Sequence, residues 1–143
     1  MNIFNNLNQQ EKYLILVRKL KEAFILFNDD LLDVFPNNKN LFLQRIIAYQ
    51  LPNVSLFRIL KKNINLDSID KEDELYLKFN LCFLKEYELY MNENFLKYDY
   101  FTFKEICNNE SLNLFEENIE MIWKWVKILS LLIKQINTLN IHN

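Results

Sequence analysis

The sequence contains no glycine, one histidine, two prolines and two cysteines. Loops that hold phosphate groups, dinucleotide-binding turns and nucleophile elbows need glycine where the backbone takes positive φ or approaches a ligand closely. The absence of glycine therefore argues against these classes of enzyme.

The shortage of histidine restricts catalytic chemistry further. Because His142 is the single histidine, no histidine pair can bind zinc or iron, and no histidine base is expected beside a nucleophile. Cys82 and Cys107 have no metal-binding spacing to a partner, which predicts two ordinary core residues in a reducing compartment. We expect a protein that is not an enzyme and that needs no cofactor or metal.

Carboxylates are the remaining candidates for acid–base catalysis or magnesium binding, and two groups of them occur, at residues 29–33 and 116–120. Each group has a simpler interpretation. The aspartates look like a helix-ending loop followed by a new helix start, and the glutamates fall in the first turns of a helix, where the dipole favours negative charge. We therefore do not place an active site in either group.

Long apolar runs are also absent, since a membrane-spanning helix needs about 20 consecutive apolar residues. The first ten residues lack a basic start followed by an apolar run, which argues against a secretory signal. We expect a cytoplasmic protein without a membrane partner.

Apolar and aromatic residues are abundant: half of the 143 residues are apolar, and 12 phenylalanines, 7 tyrosines and 2 tryptophans are present. A chain of this length and composition can bury a core without disulfides or metals. The prediction is a single domain over residues 1–143, with disorder expected only at residues 1–8 and 140–143.

Helical spacing dominates the chain, and no segment alternates with the two-residue period of a half-buried strand. The longest pattern, residues 111–141, has one apolar row at steps of three and four and a second row formed by Met121, Trp125, Ile128 and Leu132. Other long helices are predicted at residues 9–27 and 70–91. Shorter helices are predicted at residues 31–35, between Asn38 and Leu51, and at residues 54–62 and 103–109. The fold class is thus an all-α, single-domain bundle of about five to seven helices, three of them long.

The broad apolar face of the last helix needs neighbours on several sides. These neighbours can belong to the same chain or to a second copy. A homodimer through the last helix is therefore an alternative to packing within one monomer.

Charge is distributed unevenly along the chain. Residues 1–62 hold nine lysines and arginines against five acidic residues, whereas residues 63–143 hold eight against fourteen. The net charge of the whole chain is −2. A basic surface on the first part of the chain is therefore expected.

The basic part includes residues 44–62, which resemble a helix-turn-helix. Ala48 suits the small packed position, the turn falls at Pro52, and the second helix would present Arg58, Lys61 and Lys62 to nucleic acid. Three features depart from the motif. Pro52 stands where glycine is usual, and the second helix is about two residues short. Apolar Leu56 and Phe57 also occupy positions expected to face DNA bases. Nucleic acid is therefore the less favoured partner.

Aromatic residues crowd a break between predicted helices, and Trp123 extends the group from the last helix. Exposed rings supply much of the energy of protein interfaces at low entropic cost. The alternative is a connector that folds back and fills the core. The predicted partner-binding residues are Phe95, Tyr98, Tyr100, Phe101 and Trp123.

The sequence therefore favours a non-enzymatic protein-binding module, such as a small subunit, an adaptor, an inhibitor or an immunity-type protein. It would act by assembling with a partner or covering the partner's surface. The alternative is a helix-turn-helix regulator that binds DNA through residues 44–62.

Overall fold

The computed structural model describes residue 4, residues 7–84 and residues 109–139. This part of the chain contains seven helices and no strand, so the predicted all-α class and number of helices are confirmed. The helices are α1 (Gln9–Val34), α2 (Lys39–Gln50), α3 (Asn53–Asn63), α4 (Leu66–Asp70), α5 (Glu74–Phe79), α6 (Asn109–Glu117) and α7 (Ile119–Asn137).

Helix α1 begins with a capping box. The Asn8 side chain accepts the backbone N–H of Glu11 at 2.8 Å, and the Glu11 carboxylate accepts the backbone N–H of Asn8 at 3.5 Å. The predicted end of this helix near Phe27 is wrong: α1 continues through Asn28, whose side chain is fully buried and accepts a hydrogen bond from Gln44 at 2.7 Å. The helices predicted at residues 9–27 and 31–35 are therefore one helix of 26 residues.

Helix α1 lies at the centre of the bundle and packs against α2, α3 and α7. It runs antiparallel to α7, because Asp30 near its end bonds Trp125 near the start of α7, while Tyr13 near its start shares a groove with Ile136 near the end of α7. The fully buried Leu20, Phe24, Phe27 and Leu31 recur at helical spacing along its inner side.

The middle of the chain departs most from the sequence prediction. A long helix was expected over residues 70–91, but α4 ends at Asp70, Asp73 caps the short α5, and the chain leaves the helical conformation at Asn80. Residues 81–84 are not helical and all four are buried, including the side chain of Cys82. Residues 85–91 and Cys107 lie outside the described part of the chain.

The last predicted helix is divided at Asn118. The backbone N–H of Asn118 bonds the carbonyls of Leu114 and Phe115 at 3.2 Å, and its side-chain amide donates to Leu114 at 2.8 Å, which ends α6 before α7 begins. The first apolar row of the prediction is buried in α7, at Ile122, Val126, Leu129, Ile133 and Ile136. Of the short helix predicted at residues 103–109, all but Asn109, the first residue of α6, lies outside the described residues.

Candidate partner-binding site

Four of the predicted partner-binding residues, Phe95, Tyr98, Tyr100 and Phe101, lie outside the residues that the structure describes. The fifth, Trp123, is half-buried against the core. The Lys127 ammonium lies 5.8 Å from the centroid of its ring and bonds the Glu72 carboxylate at 2.7 Å. Trp123 therefore lies on the side of α7 that faces the α4–α5 turn, and a role in binding a partner stays a prediction.

A different apolar surface is fully described, on α2. This helix buries Leu41, Gln44, Ile47 and Ala48 against the bundle. Its opposite side carries Phe42, Ile46 and Tyr49, spaced i, i+4 and i+7, which we call the α2 outer face. Phe42 is 55% exposed and Tyr49 is 67% exposed, while Ile46 is half-buried.

The α2 outer face is apolar because α2 has more apolar residues than its inner side can bury. Single exposed apolar residues are normal on protein surfaces, but two exposed rings and an isoleucine in one helical row form a contiguous patch of the kind that marks interaction sites. The sequence carried this signal, since apolar residues occur on almost every side of α2. Helical spacing alone does not show which side of α2 is buried, so the prediction did not include this surface.

Both ends of α2 are fixed in place. At its start, the Asn38 side chain accepts the backbone N–H of Leu41 at 3.0 Å. At its end, the Lys21 ammonium from α1 donates to the carbonyls of Tyr49 and Leu51 at 2.8 and 2.7 Å, where the helix dipole favours a cation. Asn38 therefore caps the start of α2, and Lys21 joins its end to α1.

The inner side of α2 is anchored by Gln44, which is 3% exposed and has all of its hydrogen-bonding groups occupied. Its amide nitrogen donates to the Asn28 side chain at 2.7 Å and to the carbonyl of Leu81 at 3.1 Å. Its oxygen accepts the backbone N–H groups of Phe83 and Leu84 at 2.5 and 3.2 Å. One side chain thus joins α1, α2 and residues 81–84, and nothing in the local sequence of α2 signals this role.

Basic side chains lie near the α2 outer face. Lys39 and Arg45 are the charged residues of α2, and no acidic residue occurs in this helix. Arg45 forms an ion pair with Asp29 of α1, which raises the pKa of the guanidinium through the hydrogen bond and then the opposite charge. Lys21 lies 5.9 Å from the centroid of the Tyr49 ring. The apolar row therefore has a basic edge, part of which Asp29 neutralises.

The aspartates at residues 29–33 do not form the helix-ending loop that the sequence predicted, because α1 continues to Val34. Two of them make structural contacts instead. Asp29 pairs with Arg45, and the Asp30 carboxylate accepts the indole N–H of Trp125 at 2.6 Å. In the described portion of the chain, no cluster of three histidine, cysteine or acidic residues is arranged to hold a metal ion.

The three cations of the alternative DNA-binding prediction, Arg58, Lys61 and Lys62, are exposed on α3. Leu56 and Phe57 are buried, so they are core residues and do not occupy the positions of base-reading side chains. Only Leu51 and Pro52 separate α2 from α3. The structure therefore places a basic helix surface directly after a short turn.

No protein-family model, curated protein or solved structure matches this chain. None of the helices in the described ranges is long and apolar enough to cross a membrane.

Proposed function

We propose that the protein is a non-enzymatic binding module that docks a partner protein on the α2 outer face. The observation that carries this proposal is the row of Phe42, Ile46 and Tyr49, two of whose side chains are more than half exposed. Large aromatic side chains in a contiguous row are the residues from which interface hot spots are built. The partner's activity would be altered by assembly or by covering its surface.

The rigid attachment of α2 supports this proposal. A docking surface that is already ordered loses less conformational entropy on binding than a mobile one. Lys21, Asn38 and Gln44 fix α2 from its end, its start and its inner side. The rings of Phe42 and Tyr49 therefore project from a helix that does not have to form during binding.

The basic edge indicates the chemistry of the partner. Lys21, whose ammonium lies beside the Tyr49 ring, and the partly neutralised Arg45 favour a protein surface that presents apolar side chains flanked by carboxylates. Such a partner is expected to associate faster at low salt, with the apolar contact supplying most of the affinity. An amphipathic helix with acidic residues beside its apolar stripe meets this description.

Site-specific photo-crosslinking in the native cells tests this proposal. A photoreactive phenylalanine analogue at position 42 is expected to capture one protein in a stoichiometric band. The same analogue at Leu75, which is 61% exposed on α5, provides the matched control and should give no such band. Equal capture from positions 42 and 75, or from neither, would contradict docking on α2.

The purified pair then gives the energetic test. Phe42→Ala and Tyr49→Ala should each weaken binding by about 30-fold, because hot-spot truncations cost about 2 kcal/mol. Leu14→Ala, at a residue 50% exposed on α1, should leave the affinity within about twofold. Calorimetric melting of each variant separates loss of binding from loss of folding.

The predicted aromatic cluster can be examined with the same complex. If Tyr98, Tyr100 and Trp123 form part of the interface, their triple alanine variant should abolish binding while its melting temperature stays near that of the wild type. A large loss of stability would instead assign these rings to the core. Binding that depends on Phe42 and Tyr49 alone would confine the interface to α2.

The exposed cations on α3 favour a second candidate function, in which the protein binds DNA through residues 44–62. This function predicts affinity for duplex DNA that falls steeply with salt, because phosphate contacts release counterions. The triple variant Arg58→Gln, Lys61→Gln, Lys62→Gln should flatten the salt dependence. Binding that is unchanged in this variant would exclude the helix-turn-helix function.

A further inference from the structure

A concave site separate from the α2 outer face lies where the start of α1, the middle of α3 and the end of α7 meet. Its volume is about 260 Å³. Three helices and the residues after α7 supply its walls, so the site is built from segments that are far apart in sequence. The lining residues are Tyr13, Phe57, Arg58, Lys61, Ile136, Asn137 and Leu139.

The floor of this groove is apolar and rigid. Tyr13, Phe57 and Ile136 are 3%, 6% and 3% exposed, so each is held by the core behind it. The rings of Tyr13 and Phe57 meet edge to face, with centroids 6.1 Å apart and planes at 88°. A flat or branched apolar group would find a preformed surface there.

The rim of the groove carries two cations, Arg58 and Lys61. Arg58 and Lys61 are one turn apart on α3 and are exposed, and neither forms a salt bridge with any acidic residue in the described ranges. The Lys61 ammonium lies 5.9 Å from the centroid of Phe57. Burial raises the pKa of Tyr13, and the positive charge of Arg58 partly offsets that effect. The Arg58 guanidinium is therefore close enough to Tyr13 to influence charge inside the groove.

We propose that this groove binds a small organic anion, a carboxylate carried on an aromatic or branched apolar body. The body would lie against Tyr13, Phe57 and Ile136, and the carboxylate would pair with Arg58 and Lys61. Arginine suits this role because its planar guanidinium bonds both oxygens of a carboxylate. The volume is just below the range of about 300–1,000 Å³ that is usual for ligand sites, which favours a compact ligand.

This site is independent of partner docking on α2, since it shares no residue with Phe42, Ile46 and Tyr49. Lys61 and Lys62 in the last turn of α3 also complement the dipole of their own helix, which is the purely structural role available to them. That role gives no preference for an anion over a neutral molecule of the same shape. The two explanations therefore differ in a measurable selectivity.

Solution NMR of the full chain tests the proposal, with 2-naphthoate, benzoate and 4-methylpentanoate as probes. At least one of these carboxylates should shift the methyl signals of Ile136 and Leu139, with affinity at least about tenfold above that of its neutral amide. Arg58→Gln and Lys61→Gln should each weaken binding by about tenfold, as expected for loss of a charge-assisted hydrogen bond. Lys124→Gln, at an exposed lysine on α7 outside the groove, is the matched control and should leave the affinity unchanged.

A steric variant completes the test. Asn137→Trp changes an exposed residue of the groove wall and should block the probe while the melting temperature stays near that of the wild type. Equal affinity for the acid and its amide would overturn the proposal, as would binding that survives both glutamine substitutions. The absence of shifts at Ile136 and Leu139 with all three probes would overturn it as well.

Discussion

The side chain with the widest structural effect is Gln44, a polar residue at the centre of an apolar core. Its amide nitrogen donates to two acceptors and its oxygen accepts from two donors. Because the core has a low dielectric constant, each of these hydrogen bonds is stronger than it would be in water. Because residues 81–84 are not in a helix, their backbone groups need partners of this kind. Gln44 supplies them where a helix would have satisfied them internally.

Gln44→Ala is expected to lower the free energy of unfolding by about 3 kcal/mol, because it leaves several buried polar groups unpaired. Urea denaturation measures this loss. Gln135→Ala, at an exposed glutamine on α7, should change the stability by less than about 0.5 kcal/mol. A loss below about 1 kcal/mol for Gln44→Ala would show that residues 81–84 do not depend on this side chain.

Glu72 has an unusual backbone conformation and forms an ion pair with Lys127. Its φ of 54° is in the left-handed region, at the turn between α4 and α5. The hydrogen bond from Lys127, followed by the opposite charge, lowers the pKa of the Glu72 carboxyl. A carboxyl whose pKa is lowered by folding stabilises the protein above its unfolded pKa, and this contribution disappears as the pH falls through the folded pKa.

Lys127→Met should therefore return the pKa of Glu72 toward its ordinary value, since both causes of the lowering are removed. Carboxyl carbon NMR across the acid range, at low and high salt, measures the change. Because Glu72 is exposed, salt should reduce the difference between wild type and variant. Identical titration curves for the wild type and the variant would show that the ion pair between Glu72 and Lys127 does not form in solution.

At the scale of helices, periodicity located α1, α2, α3 and α7 but misjudged where several helices end. Three asparagines illustrate the reason: Asn28 is buried within a continuous helix, Asn80 ends α5, and Asn118 separates α6 from α7. Each has the same local propensity to cap or break a helix. Asn28 differs from the other two because its side chain is fully buried and accepts a bond from Gln44, which is distant in sequence.

The apolar run at residues 81–84 shows a second limit of predicting structure from helical periodicity. An apolar run next to a helix can continue the helix or form a buried extended piece, and periodicity does not separate the two. Here the run is not helical, and Gln44 and Asn63 bond its backbone. In the same way, the α2 outer face became a candidate site only when the inner side of α2 was known.

A further prediction concerns Lys21 of α1, whose ammonium bonds the carbonyls at the end of α2. Lys21→Met should destabilise the protein by about 1 kcal/mol, since two carbonyls lose a charged donor. Hydrogen exchange should increase at the last turn of α2 more than elsewhere. Lys19→Met, at an exposed neighbour on α1, is the control, and equal effects of the two substitutions would contradict the capping role.

For the whole molecule, the second apolar row of α7 is the surface on which self-association would depend. Trp125, Ile128 and Leu132 are half-buried in one copy, and Leu131 beside them is 56% exposed. A row of this kind can pack across a two-fold axis as well as within a monomer. The spacing of apolar residues along α7 is the same for packing within a monomer and for packing in a dimer.

A homodimer through α7 predicts a mass that rises with concentration in analytical ultracentrifugation. Leu131→Lys should then give a monomer at all concentrations, because a buried lysine at the two-fold seam lacks a partner. Leu75→Lys, at a residue 61% exposed on α5, should leave the association unchanged. A monomeric wild-type protein at high concentration would rule out this dimer.

The antiparallel pairing of α1 with α7 also determines how the molecule would respond to a break in its backbone. The pieces before and after residues 85–108 meet through the α1–α7 packing, the indole bond of Trp125 to Asp30, and the pairs that Glu72 and Asp70 form with Lys127 and Lys134. None of these contacts needs a covalent connection between the two pieces. A cut between residues 84 and 109 would therefore yield complementary halves that recognise each other, the property on which split-protein reporters are built.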